Sequence, residues 1–236
     1  MKAKLELLTL LFCSTIITSC EYDNYDQPGS KLEGEITYQG EPIGVSYNDV
    51  KLELWQPGWE QKNRIDVSVD QNGGYSALLF NGTYKLIIPS HEGPFMSTEN
   101  DQTGSDTIMI ELQGSTKVNI EVLPYYMIRN VEFSRSGTTI SSACALEKIV
   151  SGVDERNIEQ VSLYLSKTGF VDARNDVDGS QIPSIAGQDI VDLNNIDLER
   201  NIPDIKPAQS FIYARIGVKL DGVSDMIFSR VQKIDL

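Results

Sequence analysis

Apolar and polar residues alternate with a period of two along most of the chain beyond its N-terminal region. Val50, Leu52 and Leu54 share one face of such a segment, with polar residues between them. This is the spacing of side chains along a half-buried β-strand, whereas an amphipathic helix repeats about every 3.6 residues. The segments are separated by turn residues such as Asn81-Gly82, which both tolerate a positive φ. The pattern predicts an all-β fold.

The strands fall into two sets, which predicts two tandem antiparallel β-sandwiches. The short segments within 32–123 fit a first sandwich, because such folds are built from several short strands with frequent turns. The pattern is interrupted at Leu123-Pro124, and proline, which lacks an N–H donor, suits a joint between domains. A second sandwich, immunoglobulin-like or fibronectin-III-like, is expected over 124–236. Its segment 167–209 is long and rich in loop residues, and a helical turn is expected within 153–160.

The N-terminus has the features of an export signal. A short basic segment precedes an apolar run from Leu7 to Ile17, and Ser19-Cys20 follows. The run is too short to cross a bilayer, which takes about 20 apolar residues, and it is typical of a lipoprotein signal peptide. We predict a signal peptide at 1–19, a lipid on Cys20 that anchors the protein to a membrane, and a flexible tether at 20–31. An ordinary signal peptide followed by an unmodified cysteine is the alternative.

Charge and cysteine content narrow the classes of function. The net charge is −14 and the pI is about 4.5. Such an acidic chain repels phosphate backbones, so nucleic-acid binding is not expected. With Cys13 in the signal peptide and Cys20 as the lipidation site, Cys144 has no partner for an internal disulfide. Cys144 lies in an apolar strand-like run and is expected to be buried.

The chain has no recognisable catalytic motif. It lacks a Gly-x-Ser-x-Gly elbow, a phosphate-binding glycine loop and a His-Glu-x-x-His zinc motif. We therefore do not expect an enzyme. A glycosidase is the remote alternative, because its two carboxylates are defined by their separation in space and not by their spacing in sequence.

The segment from Trp55 to Trp59, WQPGW, is the most suggestive candidate for a binding site. Trp55 ends a predicted strand, and the Pro-Gly that follows would form a turn that presents Trp59 on a loop. Indole rings stack on the C–H faces of sugars, and Gln61 and Arg64 could bond to sugar hydroxyl groups. The alternative is packing, in which one tryptophan closes the end of the sandwich and the other contacts the second domain.

A dense set of oxygen-bearing side chains marks the long segment of the second domain: Asp172, Asn175, Asp176 and Asp178, followed by a glycine. Calcium takes about six to eight oxygen ligands, and turns of this composition can supply them. The spacing does not match an EF-hand loop, so a structural calcium ion and a solvated acidic loop both stay open. No other cofactor is expected.

The first predicted sandwich resembles the carboxypeptidase-regulatory or prealbumin-like fold. The resemblance is carried by the turns Gly40 to Ile43 and Asp70 to Tyr75, and by Gly82 to Tyr84. Domains of this kind are usually non-catalytic accessories, so the resemblance concerns the fold and says little about activity.

Over its whole length the chain resembles a two-domain lipoprotein family of Bacteroidetes known as domain of unknown function 3823. The resemblance is carried by Cys20 to Asp26, Leu54 to Trp59, Glu121 to Ile128 and Tyr213 to Lys219. It implies a place in the outer membrane beside an importer complex of the starch-utilisation type, with a role in glycan capture or uptake. It names no substrate.

Two functions from different classes follow. The first is a non-catalytic lipoprotein of the cell envelope that binds glycan or assists its capture, anchored in the outer membrane and exposed at the cell surface. A position on the periplasmic face is the alternative to surface display. The second function is a lipidated spacer or scaffold that contacts other surface proteins and binds no sugar.

Overall fold

The structure, a computed structural model, describes residues 26–58, 63–99 and 104–236. This part of the chain is built from β-strands and contains no α-helix; three short 3-10 turns lie at Gly152–Asp154, Gly179–Gln181 and Gly187–Asp189. The strands are β1 (Ser30–Tyr38), β2 (Glu41–Pro42), β3 (Lys51–Trp55), β4 (Arg64–Ser68), β5 (Gly74–Leu79), β6 (Gly82–Ile87), β7 (Phe95–Ser97), β8 (Ile108–Leu112), β9 (Thr116–Lys117), β10 (Ile120–Pro124), β11 (Tyr126–Ser136), β12 (Thr139–Lys148), β13 (Ile158–Ser166), β14 (Ser184–Ala186), β15 (Ile196–Asn201), β16 (Phe211–Leu220), β17 (Ile227–Phe228) and β18 (Gln232–Asp235). The predicted all-β class is confirmed. None of the helical segments described is long and apolar enough to cross a bilayer.

The N-terminal sandwich has β1 at the centre of one sheet. This strand pairs with β2 and β5 in antiparallel fashion and with β9 and β10 in parallel, and β7 pairs with β10. The other sheet has the order β4-β3-β6-β8 and is antiparallel throughout. The parallel pairs differ from a purely antiparallel prediction. Parallel neighbours need a long connection between them, and here most of the domain lies between β1 and its two parallel partners.

The C-terminal sandwich also consists of two sheets. Three strands in the order β11-β12-β15 form one, and β13 and β16 form the centre of the other, with β14 beside β13 and both β17 and β18 beside β16. The β11–β12 pairing is interrupted by a bulge between Arg129 and Glu132, where Asn130 has a φ of 51°. A bulge of this kind kinks the strand and changes the direction of its side chains.

Alternation of side chains explains why β3 buries one face, with Leu52 and Leu54 fully buried. The central strand β13 is buried on both faces from Val161 to Ser166. Most buried apolar residues form one continuous cluster that runs from the first sandwich into the second, and Tyr164, Val171 and Phe228 form a small separate cluster. Cys144 is buried, as expected, and its burial raises the pKa of the thiol to about 11.

The segment 167–209 is more ordered than its composition suggests. It holds β14 and β15, which the sequence pattern had left within a loop. On β15 every second residue is buried, namely Ile196, Leu198 and Arg200. An arginine in a core position hides the alternation, because a charged residue is normally a sign of the solvent face. The helical turn expected within 153–160 is limited to the 3-10 turn that precedes β13.

Arg215 on β16 is the central polar contact between the two sandwiches. Its side chain is 1% exposed, and it donates hydrogen bonds to the carbonyl oxygens of Val45, at 3.1 Å, and Gln71 in the first domain. In its own domain it donates to the Ser229 carbonyl at 2.6 Å, and its guanidinium carbon lies 4.5 Å from the ring centroid of Phe228. Burial lowers the pKa of Arg215. The guanidinium therefore joins two backbone loops of one domain to the core of the other.

A glycine permits this close approach. The Phe228 amide donates to the Gly44 carbonyl at 2.9 Å across the domain boundary. A Cβ atom at position 44 would lie 2.4 Å from the Phe228 carbonyl oxygen and 2.9 Å from an Arg215 nitrogen. Any larger residue would therefore push the domains apart, and the two sandwiches are held in one fixed arrangement at this point.

Candidate functional site

The outer face of the four-stranded sheet in the first domain contains Trp55, one of the residues predicted to bind a ligand. Because β3 alternates, Leu54 points into the core while Trp55 lies on the opposite, partly exposed face. Paired residues on neighbouring strands share a face. Trp55 is paired with Arg64 on β4 and Lys85 on β6, and Lys85 is paired with Met109 on β8. We call these four side chains, Arg64, Trp55, Lys85 and Met109, the Trp55 row.

Two carboxylates fix the geometry at one end of this row. The indole Nε1–H of Trp55 donates to Glu53 Oε2 at 3.0 Å, and Arg64 Nη1 lies 2.7 Å from Glu53 Oε1. Arg64 Nε also pairs with Asp66 Oδ1 at 3.0 Å. Glu53 thus links the tryptophan to the arginine and holds the indole in one orientation, while the Arg64 side chain stays 55% exposed.

The structure brings together two of the four residues predicted to bind ligand. Trp55 and Arg64 face each other across β3 and β4. Trp59 and Gln61 lie outside the described residues. Among the described residues, the buried core cluster does not include Trp55, so this tryptophan does not close the end of the sandwich.

The Trp55 row combines the two properties that a sugar surface requires. The indole and the Met109 side chain, which is 56% exposed, provide apolar contact area. Arg64, Lys85 and the carboxylates beside them provide donors and acceptors for hydroxyl groups. Sequence reasoning missed Glu53, Lys85 and Met109, because these residues join the site only through strand pairing. Alternation alone places them on solvent faces without showing which strands are neighbours.

The carboxylates predicted to bind calcium accept hydrogen bonds from donors of the protein itself. Asp176 accepts two hydrogen bonds from Arg200, each 2.6 Å long, and the two side chains are 0% and 4% exposed. It also accepts from the Leu165 amide at 3.0 Å. Asp178 accepts from the Ser180 hydroxyl at 2.7 Å. The Asp176 carboxylate thus anchors the long segment to β13 and β15, while the Asp178 carboxylate stabilises the turn at Ser180.

Asp172 has a comparable role nearer the domain boundary. It accepts hydrogen bonds from the Asn175 side chain at 2.8 Å and from Arg174 Nη2 at 3.0 Å. Burial disfavours the charged carboxylate, but the hydrogen bonds from Arg174 and Asn175 outweigh it and lower the pKa of Asp172. In the described ranges no group of three or more His, Cys, Asp or Glu side chains is placed to hold a metal ion. The calcium site stays a prediction, and the geometry gives its residues a structural role.

Arg174 extends this network to the first domain. Its Nη1 lies 2.8 Å from Asp49 Oδ1, and its Nη2 donates to the Tyr47 carbonyl at 2.8 Å. The Tyr47 ring meets Phe170 edge-on, with centroids 5.1 Å apart, and both rings are about half exposed. This pair could not be predicted from the sequence, because the two residues belong to loops of different domains.

Fold and site together define a protein of two β-sandwiches with a mixed aromatic and charged sheet face. Family models match both halves of the chain: the N-terminal domain of the protein of unknown function DUF3823 matches residues 30–123, and the DUF3823 C-terminal domain matches residues 126–233. The chain therefore belongs to the DUF3823 family.

Solved structures agree with this assignment. A DUF3823 family protein from Bacteroides ovatus ATCC 8483 is 31% identical with a TM-score of 0.75, and one from Parabacteroides merdae ATCC 43184 is 33% identical with the same TM-score. In both comparisons 89% of this chain and 100% of the other chain are covered.

A third similar structure comes from Bacteroides uniformis ATCC 8492 and is provisionally described as a carbohydrate binding protein. It is 18% identical to this chain, with a TM-score of 0.69 and coverage of 89% of this chain and 100% of that one. At this identity the likeness concerns the fold alone. No functionally curated protein matches the chain.

Proposed function

We propose that this protein is a non-catalytic, lipid-anchored accessory of glycan capture at the outer membrane, and that the Trp55 row contacts the sugar. One observation carries the proposal: a partly exposed tryptophan, oriented by Glu53, lies between Arg64 and Lys85 on the outer face of a sheet. The fold neighbour provisionally described as a carbohydrate binding protein supports it.

The geometry suits a chain of sugars better than a small metabolite. Four strands present the row side by side, so a polysaccharide could lie across the sheet and contact several of them at once. An indole ring gains from contact with the apolar face of a pyranose ring, and charged side chains beside it bond to the hydroxyl edge. Hydrolysis would need two carboxylates on either side of the scissile bond, and a sheet face does not enclose the bond in this way.

Affinity electrophoresis on a panel of plant and host polysaccharides tests the sugar contact. We expect at least one polysaccharide to retard the wild-type protein, and Trp55→Ala to weaken that binding about tenfold, as expected for the loss of one aromatic contact. Phe80→Ala is the matched control, because it removes an exposed aromatic ring that lies outside the row and should leave the binding unchanged. Trp59→Ala tests the second tryptophan predicted from the sequence. Retardation that is equal for wild type and Trp55→Ala would exclude the row as the binding surface.

The membrane anchor is tested separately. Cys20 lies outside the described residues, and its lipidation rests on the signal-peptide pattern. We expect Cys20→Ser to move the protein from the membrane fraction to the soluble fraction. Protease treatment of intact cells then distinguishes the two faces of the outer membrane, since a surface-exposed protein is digested and a periplasmic one is protected. A wild-type protein found in the soluble fraction would contradict the anchor.

A scaffold function is the second candidate, and an exposed apolar pair favours it. Leu78 is 62% exposed and Phe80, two residues further along the same edge, is 49% exposed. Exposed apolar side chains that lie together are a feature of protein contact surfaces. If no polysaccharide binds, while an importer complex co-purifies with wild type and not with Leu78→Ser/Phe80→Ser, the protein is a scaffold.

A further inference from the structure

A cleft with a volume of about 550 Å³ opens between the two sandwiches. Its volume falls within the range of roughly 300–1,000 Å³ that is usual for small-molecule sites, which occur preferentially at domain interfaces. The first domain contributes the β1–β2 region and the turn at Gln71 and Asn72, and the second contributes β11 and the segment from Ile227 to Gln232. No residue of the Trp55 row lines it.

The inner lining of the cleft is apolar. Ile43, Met127, Ile227 and Phe228 are buried there, and Phe133 is half-buried. An aromatic ring and aliphatic side chains therefore form one side of the space, where a ligand would need an apolar face.

The outer lining is polar. Glu35 and Glu41 are paired with Lys117 and Arg129, whereas four further side chains have no partner among the described residues. Asn72, Asn130, Arg230 and Gln232 line the cleft and are exposed. Within the part of the chain that the structure describes, none of these four side chains makes a hydrogen bond or ion pair. Amide groups both donate and accept, which matches the hydroxyl groups of a sugar, each of which does the same. The cleft thus has an apolar interior and amide groups at its entrance.

The backbone at Asn130 gives independent support. Its φ of 51° is uncommon for a residue other than glycine, and it lies in the bulge of β11. Bulges and unusual backbone angles occur often at binding sites, because they direct a side chain away from the regular sheet. The bulge here places an amide at the entrance to the cleft.

The contacts between the domains fix the shape of the cleft. Arg215 bonds to the Gln71 carbonyl, and the Phe228 amide bonds to the Gly44 carbonyl. Gln71, Gly44 and Phe228 all line the cleft. A site of fixed shape avoids the cost of ordering side chains and domains on binding.

We propose that this interdomain cleft is a second ligand site, which binds one or two sugar units of a short oligosaccharide or at the end of a glycan chain. This inference rests on the proposed function, from which it takes sugars as the class of ligand. The cleft adds a second site of different geometry. The Trp55 row is an open face suited to the length of a chain, whereas the cleft encloses a short ligand with an apolar interior and a polar entrance.

The test is a titration of the complete mature protein with defined disaccharides, including maltose, cellobiose and xylobiose, followed by saturation-transfer NMR and calorimetry. Asn130→Gly is the informative variant, because glycine adopts the positive φ without strain and only the amide is lost. Asn48→Gly is the matched control, since Asn48 is also exposed with a positive φ, of 66°, and lies outside the cleft. Gln232→Ala provides a second variant in the cleft.

We expect at least one disaccharide to bind, Asn130→Gly to weaken its binding about tenfold through the loss of amide hydrogen bonds, and Asn48→Gly to leave it unchanged. Trp55→Ala should leave disaccharide binding intact and affect only polysaccharides. Disaccharide binding that survives both Asn130→Gly and Gln232→Ala would overturn the proposal that the cleft is the binding site. A panel in which no disaccharide binds would also overturn it. The proposed function would fail separately if the wild-type protein bound no polysaccharide.

Discussion

The two sandwiches are stabilised in different ways. Among the described residues of the first domain, no charged side chain is buried, and its core is made by the apolar residues that alternate along its strands. The second domain buries Asp172, Arg200 and Arg215. Asp172 and Arg200 lie in the long segment between β13 and β16, and Arg215 lies at the contact between the domains. In the second domain, buried charged side chains thus add to apolar packing in holding these two regions.

The largest expected effect concerns the buried ion pair of the second domain. Arg200→Met leaves the Asp176 carboxylate buried without its partner, which should lower the free energy of unfolding by about 3–5 kcal/mol. Urea denaturation measures this loss. Lys206→Met is the control, because Lys206 pairs with Asp204 at 2.8 Å with both side chains about 80% exposed and should cost at most about 1 kcal/mol. Equal losses in the two variants would show that burial of the Arg200–Asp176 pair adds nothing to the stability of the second domain.

Arg215→Met should have the next largest effect. The variant leaves the buried carbonyl groups of Val45 and Ser229 without donors and removes one of the two donors to the Gln71 carbonyl, so we expect a loss of about 3 kcal/mol in the free energy of unfolding. Because two of these groups belong to the first domain, unfolding followed by separate probes in each domain should lose its common midpoint. Arg135→Met, at an exposed position on β11, is the control. A loss below about 1 kcal/mol with one shared midpoint would show that apolar contacts alone join the domains.

The lowered pKa of Asp172 predicts that the stability of the protein depends on pH. Its pKa is lower in the folded protein than the ordinary value of 3.8, because hydrogen bonds from Arg174 and Asn175 favour the carboxylate. Its stabilising contribution is therefore complete above about pH 4 and is lost as the pH falls through the folded pKa. Asp172→Asn should cost about 1–3 kcal/mol at pH 7 and less at pH 3. Melting curves over this range measure the effect, and a loss that is the same at both pH values would contradict it.

The smallest effect is expected on the surface of the first domain. Arg64 makes two ion pairs, but its side chain is 55% exposed. Arg64→Met should change the free energy of unfolding by less than about 1 kcal/mol, and added salt should reduce even that. A loss comparable with that of Arg200→Met would mean that charged pairs stabilise both domains alike.

The contrast between an apolar core in the first domain and buried charges in the second explains which strands could be predicted from the sequence. In the first domain, alternation predicted a strand at β3 because Val50, Leu52 and Leu54 follow the pattern and are all buried, whereas the short strand β7 was not predicted. In the second domain β15 was missed, since Arg200 occupies a buried position and its partner Asp176 lies far from it in sequence. The calcium site stays a prediction, and the arginine and amide partners of Asp172 and Asp176 could not be predicted because they depend on the folded structure.

The candidate sites were predictable only in part. Trp55 and Arg64 were identified from the chemistry of their side chains, while Lys85 and Met109 joined them through strand pairing that alternation does not encode. The cleft was not predictable, because it depends on the placement of the two domains. That placement is fixed by Arg215, which alternation assigns to a strand without showing that its charged group is buried between domains.

The most direct test of glycan binding at the Trp55 row is a ¹⁵N-resolved NMR titration of the mature protein with the polysaccharide fragment that binds it. The indole N–H of Trp55 gives its own resonance, assigned by comparison with Trp55→Phe. The account predicts that this resonance and the amides of Arg64, Lys85 and Met109 shift together and saturate at one ligand concentration. Saturable shifts elsewhere, with the Trp55 indole unchanged, would contradict it.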